Sequence, residues 1–120
     1  MPPLPRTRNA LLACLHLYLA EKVGTGMLRR LGWFDFRSLE PPDTNDPVVL
    51  AEEVLVYLCL QDVGRWNGVV GVITALLAFL EETVGTLPTS DQLHRLQAIL
   101  DHDPVSRSDL HTWFDGVYGP

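Results

Sequence analysis

The sequence predicts an all-α protein, a compact bundle of about six or seven helices around a central hydrophobic helix. Apolar residues recur at helical spacing along the chain, and helix-start residues precede several of these segments. The segment from Trp66 to Leu80 carries no charge and is apolar on every side. Because a helix that is hydrophobic all round is buried on all sides, this segment is predicted to be the central one.

The first third of the chain predicts two helices followed by an aromatic cluster. A helix from about Asn9 to Lys22 has one leucine face, formed by Leu11, Leu12, Leu15 and Leu19. A short helical piece from Thr25 to Leu31 follows Gly24, and the aromatic cluster Trp33-Phe34-Asp35-Phe36 comes next. We expect a single domain over residues 1–120, with residues 1–8 as a flexible N-terminus.

The middle of the chain predicts a helix on each side of a break. Asp46 is an N-cap acceptor and Pro47 suits the first helical position, so a helix is predicted from there to about Leu60. The central segment ends near Gly85. Its β-branched residues suggest a strand, but a length of about 15 residues exceeds that of a typical strand.

Two further helix starts lie near the end of the chain. Thr89 and Gln92 have the three-residue spacing of a capping box, and the helix that they open has one apolar face. Ser106 or Ser108 is predicted to cap a last short helix that runs through Trp113-Phe114.

The charge balance limits the classes of partner. The formal net charge is −6, whereas binding to nucleic acid or to an anionic membrane surface requires clustered Lys and Arg. The longest uncharged stretch falls short of the about 18–20 residues that a membrane-spanning helix needs. The N-terminus lacks the layout of a signal peptide. We therefore expect a soluble protein that binds neither nucleic acid nor lipid as its main partner.

The sequence contains no arrangement typical of an enzyme, a metal site or a cofactor site. None of the four histidines has a zinc-type spacing with a cysteine. The adjacent pairs Glu52-Glu53 and Glu81-Glu82 do not face each other on a helix, which makes them poor acid–base pairs. No nucleophile elbow or phosphate-binding glycine loop is present. We expect no catalysis and no cofactor.

The two cysteines indicate the compartment. Cys14 and Cys59 both lie in apolar helical patterns, and buried thiols are the favoured interpretation over a disulfide. This interpretation favours a reducing, intracellular and cytoplasmic location.

Two segments of the chain resemble the motifs of one protein family. The chain ends Asp109-Leu110-His111-Thr112-Trp113-Phe114-Asp115-Gly116-Val117-Tyr118-Gly119-Pro120. This ending resembles the second homology motif of the B-cell-lymphoma-two (Bcl) family of apoptosis regulators, with a shortened middle and without a second tryptophan. The stretch Leu60-Gln61-Asp62-Val63-Gly64-Arg65-Trp66-Asn67-Gly68-Val69-Val70 resembles the first motif of that family, whose Asn-Trp-Gly-Arg residues are present here in another order.

Two weaker similarities precede these in the order of the family. Leu15-His16-Leu17-Tyr18-Leu19 resembles the fourth motif, and Leu28-Arg29-Arg30-Leu31-Gly32 resembles the third. Trp33 stands where the third motif has an aspartate, so the resemblance favours a receptor over a pro-apoptotic ligand. Because the chain is short and ends without a membrane tail, it looks most like a virally encoded, anti-apoptotic homologue.

The resemblance implies a function and a site. It implies that a hydrophobic groove sequesters the amphipathic helix, or third motif, of a pro-apoptotic partner, with peripheral association with mitochondria through such partners. The groove would be lined by the helix from Val54 to Leu60 and by the start of the central helix. The candidate partner-binding residues are Val54, Tyr57, Leu58, Arg65, Trp66, Asn67, Gly68, Val70 and Tyr118.

Each candidate also has a purely structural interpretation. The Arg65 guanidinium could pair with an acidic ligand residue, or it could be solvated at a helix start. Trp66 is more often a core or capping aromatic, Asn67 is favoured as an N-cap, and Gly68 allows close helix packing as readily as close approach of a ligand.

The remaining candidates are apolar or aromatic. Leu58 and Val70 are as readily explained as core residues, and Val54 belongs to the same apolar stretch. Tyr57 and Tyr118 each carry a hydroxyl that needs a partner, which places them at an edge.

An alternative function comes from another class of protein. A helical adaptor or homodimeric scaffold could use the aromatic cluster Trp33–Phe36 as its interface, since aromatic side chains beside charges often bind proteins. The structural interpretation, in which this cluster fills the space between helices, is the favoured one. The sequence leaves open whether the protein is a monomer or a homodimer.

Overall fold

A computed structural model describes residues 7–38, 46–60, 66–102 and 104–119, without the side chains of residues 8, 37–38, 58–60 and 66–69. Within these ranges the regular structure is entirely helical, which confirms the predicted all-α class. Seven helices are described there: α1 (Arg8–Val23), α2 (Thr25–Arg30), α3 (Trp33–Ser38), α4 (Pro47–Leu60), α5 (Trp66–Val84), α6 (Ser90–Asp101) and α7 (Arg107–Tyr118). The Cα radius of gyration of 13.4 Å is close to the about 13.6 Å expected for a compact chain of this length.

The caps that the sequence predicts are present at three helix starts. The Asp46 carboxylate accepts the Val48 N–H at 2.9 Å. Thr89 and Gln92 form the full capping box, with N–H to oxygen distances of 3.2 and 2.8 Å. The Ser106 hydroxyl accepts the Asp109 N–H at 3.2 Å. These side chains satisfy N–H groups that have no partner within their own helix, which fixes where α4, α6 and α7 begin.

Two elements differ from the sequence prediction. The aromatic cluster forms a short helix, α3, because Gly32 takes a φ of +85° and its carbonyl then accepts the Phe36 N–H at 3.0 Å. The last helix extends beyond Phe114 to Tyr118. There the Tyr118 ring packs against Trp113 and Phe114, with centroid distances of 6.2 and 5.8 Å, and this packing extends the helix.

Helix α5 packs against α1, α4 and α6. It runs antiparallel to α1, because Val23 lies beside Gly71 and the Tyr18 ring contacts the Phe79 ring at 5.6 Å. The α5 side chains with 6% exposure or less are Val72, Ile73, Ala75, Leu76, Leu77, Phe79 and Leu80. The prediction that the uncharged segment contributes the centre of the core is confirmed for these residues.

The prediction that this segment is shielded on all sides is wrong. Val70 is 37% exposed, and Gly71 and Thr74 are also exposed. Helices α1, α4 and α6 contact other sides of α5 and leave these residues as an exposed stripe. Apart from Val70, the exposed residues of that stripe are the small Gly71 and the polar Thr74, so the helix lacks charge there without exposing much apolar area.

The aromatic cluster belongs mostly to the core. Trp33 is fully buried, and its indole N–H donates to His16 Nδ1 at 2.8 Å. Phe36 is 3% exposed and stacks on Trp33 with a centroid distance of 5.7 Å, while Phe34 is 37% exposed. An interface built from the whole cluster, as the alternative function requires, is therefore not supported. The structural interpretation of these residues holds.

The interpretation of Cys14 as a buried thiol is wrong. Its side chain is exposed on the outward face of α1, next to Ala10 and Leu17. Helix α1 is uncharged from Asn9 to Ala20, so its sequence does not distinguish the face that packs from the face that points outward. The Cys59 side chain lies outside the described part of the chain.

No helix of the described ranges has both the length and the hydropathy that a bilayer crossing requires.

Candidate functional site: the groove between α4 and α7

Helices α4 and α7 run antiparallel and leave an open groove along their seam. Tyr57 of α4 lies opposite Arg107 of α7 at one end, and Asp46 lies opposite Gly119 at the other. We call this feature the α4/α7 groove. Since a helix rises 1.5 Å per residue, the part of α7 that lines it spans about 18 Å. It has two chambers, which meet at Glu52 and His111.

The first chamber, called here the Tyr57 chamber, has a volume of about 590 Å³. It has an apolar side made by Phe36, Val56 and Tyr57, in which the Phe36 and Tyr57 rings contact each other at 5.5 Å. Arg107 and Ser108 close it from the start of α7. This chamber combines an aromatic wall with a polar rim, as is usual for small binding pockets.

The second chamber, called here the Tyr118 chamber, has a volume of about 500 Å³. Its apolar lining residues are Val48, Val49, Val84, Phe114 and Tyr118. Val49 is 42% exposed and Val84 is 39% exposed, which places two large apolar side chains in contact with solvent at this end. Because exposed apolar side chains grouped at one concave site are typical of binding surfaces, these two valines make this chamber a candidate binding surface.

An ion pair crosses the groove between the two chambers. His111 Nδ1 of α7 donates to the Glu52 carboxylate of α4, at 3.0 and 3.1 Å from its two oxygens. The hydrogen bond and the charge of Glu52 raise the pKa of His111 above its usual value, and Asp115 adds to the effect. The pair therefore keeps a positive charge on His111 to a higher pH than a free histidine would hold it.

Tyr118 has a buried hydroxyl at the end of the groove. This oxygen has no hydrogen-bond partner among the described residues, and burial raises the pKa of Tyr118 to about 12. Its ring is held by Trp113 and Phe114. The Trp113 indole N–H in turn donates to the Gln92 carbonyl at 2.7 Å, which fixes α7 against α6.

The structure separates the candidate residues that the sequence predicts. Tyr57 and Tyr118 lie in the α4/α7 groove, one in each chamber. Val54 is 0% exposed, so it supports the groove from inside α4 and is not placed to contact a partner. Val70 lines a different groove.

The other candidates lie where the structure describes little. Arg65 lies outside the described residues, as do the side chains of Leu58, Trp66, Asn67 and Gly68. Helix α5 begins at Trp66, so Asn67 lies inside its first turn and the prediction of Asn67 as the N-cap is wrong.

Val70 belongs to a groove between α1 and α5, with a volume of about 470 Å³. It is lined by Tyr18, Lys22, Val23, Val70, Gly71, Thr74, Ala75 and Ala78. This α1/α5 groove is bordered by few polar groups. Burial and the neighbouring Glu82 carboxylate raise the pKa of Tyr18 at its edge.

Sequence reasoning missed the residues at the middle of the α4/α7 groove. Glu52 and His111 are 59 positions apart, and each by itself has the pattern of a solvated helix residue. Val49 falls in an apolar stretch and gives no sign that it faces outward. Only the antiparallel pairing of α4 with α7 brings these three residues into one groove.

The comparisons with known proteins returned no match to a family model, a curated protein or a solved structure. Among the described residues, no three His, Cys, Asp or Glu side chains converge to hold a metal ion.

Proposed function

We propose that this chain binds an amphipathic helix of a partner protein in the α4/α7 groove, and that it regulates apoptosis by sequestering pro-apoptotic helices of this kind. The observation that carries the binding proposal is the succession of an apolar chamber, a polar bridge and a second chamber with exposed valines along one groove. An amphipathic helix presents apolar anchors at i, i+3 or i+4, and i+7 on one face.

The spacing along the groove suits such a helix. His111 lies four residues from Arg107 and eight from Gly119 on α7, so the Tyr57 chamber extends about 6 Å to one side of the bridge and the Tyr118 chamber about 12 Å to the other. Two anchors at i and i+7 are about 10.5 Å apart on a helix. One anchor can therefore enter each chamber while the residue between them faces Glu52 and His111.

The apoptotic part of the proposal rests on the motif resemblance. The segment that resembles the second Bcl motif forms α7, which is one wall of the groove. The segment that resembles the first motif leads into α5, the helix that contributes most to the middle of the core. The order of the four similarities along an all-helical bundle supports a receptor of the Bcl kind.

The test compares two exposed valines in different grooves. We expect V49E to abolish calorimetric binding of third-motif peptides from pro-apoptotic proteins, because it places a charge in the Tyr118 chamber. The matched control is V70E, since Val70 is also exposed and lies in the α1/α5 groove. It should leave binding within about twofold of wild type.

Two outcomes would contradict the proposal. If no peptide of the panel binds the wild-type chain, the receptor function is wrong. If V70E abolishes binding and V49E does not, the ligand occupies the α1/α5 groove instead. The same titration with R65A tests the pairing proposed for that residue, with an expected loss of about tenfold or more, as for a charged hydrogen bond.

A further inference from the structure

The charges around the bridge are predominantly acidic. Among the described side chains, four carboxylates line the two chambers: Asp46, Glu52 and Glu53 from α4 and its cap, and Asp115 from α7. The basic side chains that line them are Arg107 and the titratable His111. Phe36 of α3, and Val84 and Thr86 at the end of α5, complete the lining without adding charge. The groove therefore has a negative electrostatic potential, which complements a positively charged group of a ligand.

Glu52 is the carboxylate placed to receive that group. It is the one that lines both chambers and faces the middle of the groove. Its partner His111 is 65% exposed, and Glu52 itself is 25% exposed. Ion pairs with this exposure contribute little, so a ligand can exchange one cation for another at small cost.

We infer that the partner helix carries a lysine or arginine between its two apolar anchors, and that this residue takes the place of His111 on Glu52. This inference rests on the proposed function, because it concerns the ligand of the same groove. The anchors fill the two chambers and the basic side chain crosses the bridge between them. An ammonium or guanidinium group satisfies the Glu52 carboxylate as His111 did.

The exchange predicts how binding depends on pH. At low pH, protonated His111 occupies Glu52 and repels a cationic ligand group. As pH rises through the pKa of His111, the imidazole loses its charge and Glu52 accepts the ligand cation without competition. The other charged side chains described beside this point are Glu53, Asp115 and Arg107. Affinity for a basic ligand should therefore increase with pH.

The experiment uses three synthetic amphipathic peptides of about 20 residues, each with leucine at i and i+7. They differ at a single position midway between these anchors, where the residue is lysine, glutamine or glutamate. Calorimetric titration of the full chain should give about tenfold tighter binding of the lysine peptide than of the glutamate peptide at pH 8. The difference in affinity between the lysine and glutamate peptides should be smaller at pH 5.5.

Two variants of the chain locate the effect. E52Q should remove the preference for lysine and its pH dependence, while the leucine anchors still bind. D109N is the control, since Asp109 is an exposed carboxylate of α7 that lines neither chamber; it should retain the preference.

The outcomes separate this inference from the function on which it rests. If none of the three peptides binds, the helix-binding function fails. If all three bind equally well, or if the glutamate peptide binds best, the groove binds helices but the assignment of a basic ligand residue is wrong. Loss of the preference in D109N with its retention in E52Q would also overturn the role of Glu52.

Discussion

The hydrogen bonds of the buried aromatic side chains explain much of how neighbouring helices are positioned. The Trp33 indole donates to His16, and the Trp113 indole donates to the Gln92 carbonyl. Each of these bonds joins two helices, α3 to α1 and α7 to α6. Because leaving a buried donor without an acceptor costs about 1–3 kcal/mol, such contacts select one arrangement of the helices over looser alternatives. Tyr118, whose buried hydroxyl has no partner, is the exception.

We predict that Y118F stabilises the protein. The substitution keeps the ring that packs on Trp113 and Phe114 and removes a buried oxygen without a hydrogen bond. The free energy of unfolding should rise by about 1 kcal/mol, measured by denaturant titration. The matched control is Y18F, which removes a hydroxyl beside Glu82 and should give no such gain.

The Y118F substitution should also change how the free energy of unfolding depends on pH in the alkaline range. The folded Tyr118 ionises near 12 and the unfolded side chain near 10. Between these values the folded state holds more protons, so the free energy of unfolding falls as pH rises above about 10. Y118F should lack that part of the fall, and an unchanged pH profile would show that the hydroxyl is solvated or hydrogen-bonded.

At the scale of the element, the caps decide where the helices start and the apolar content does not. Helices α1 and α4 carry apolar residues on nearly every side, and their sequences define their faces poorly. Their starts, in contrast, are marked by Thr7 and Asp46, whose side chains accept backbone N–H groups. This is why the start of α4 could be predicted closely from the sequence, while the face exposed at Cys14 or Val49 could not.

The capping box of α6 gives a test at this scale. T89A removes the hydroxyl that accepts the Gln92 N–H and should lower the free energy of unfolding by about 1 kcal/mol. S90A, at the next position and exposed, is the control and should change it by less than about 0.5 kcal/mol. Equal effects of the two substitutions in thermal unfolding would mean that the cap does not stabilise α6.

At the scale of the whole molecule, the sequence predicts the helices better than it predicts the surfaces between them. The class, the central position of α5 and the capped starts follow from periodicity and local hydrogen bonding. The exposed stripe of α5 at Val70 and Thr74 does not, because it depends on which neighbours cover that helix.

The candidate site shows the same limit. Tyr57 and Tyr118 were predicted to contact a partner, and the structure places them at opposite ends of one groove. That groove, however, is made by the pairing of α4 with α7, and its middle is formed by Glu52 and His111 from distant parts of the sequence. Val54 of the same helix is core, since it lies about 60° around α4 from Tyr57 and on the side that faces the interior.

The most direct test of helix binding in the α4/α7 groove is NMR mapping of backbone amide shifts during titration with a third-motif peptide. We expect the largest shifts at both walls of the groove, at Val49, Glu52, His111 and Tyr118, with little change at Lys22 and Gly71 of the α1/α5 groove. Shifts confined to Lys22 and Gly71, or no shifts at a saturating peptide concentration, would contradict the account.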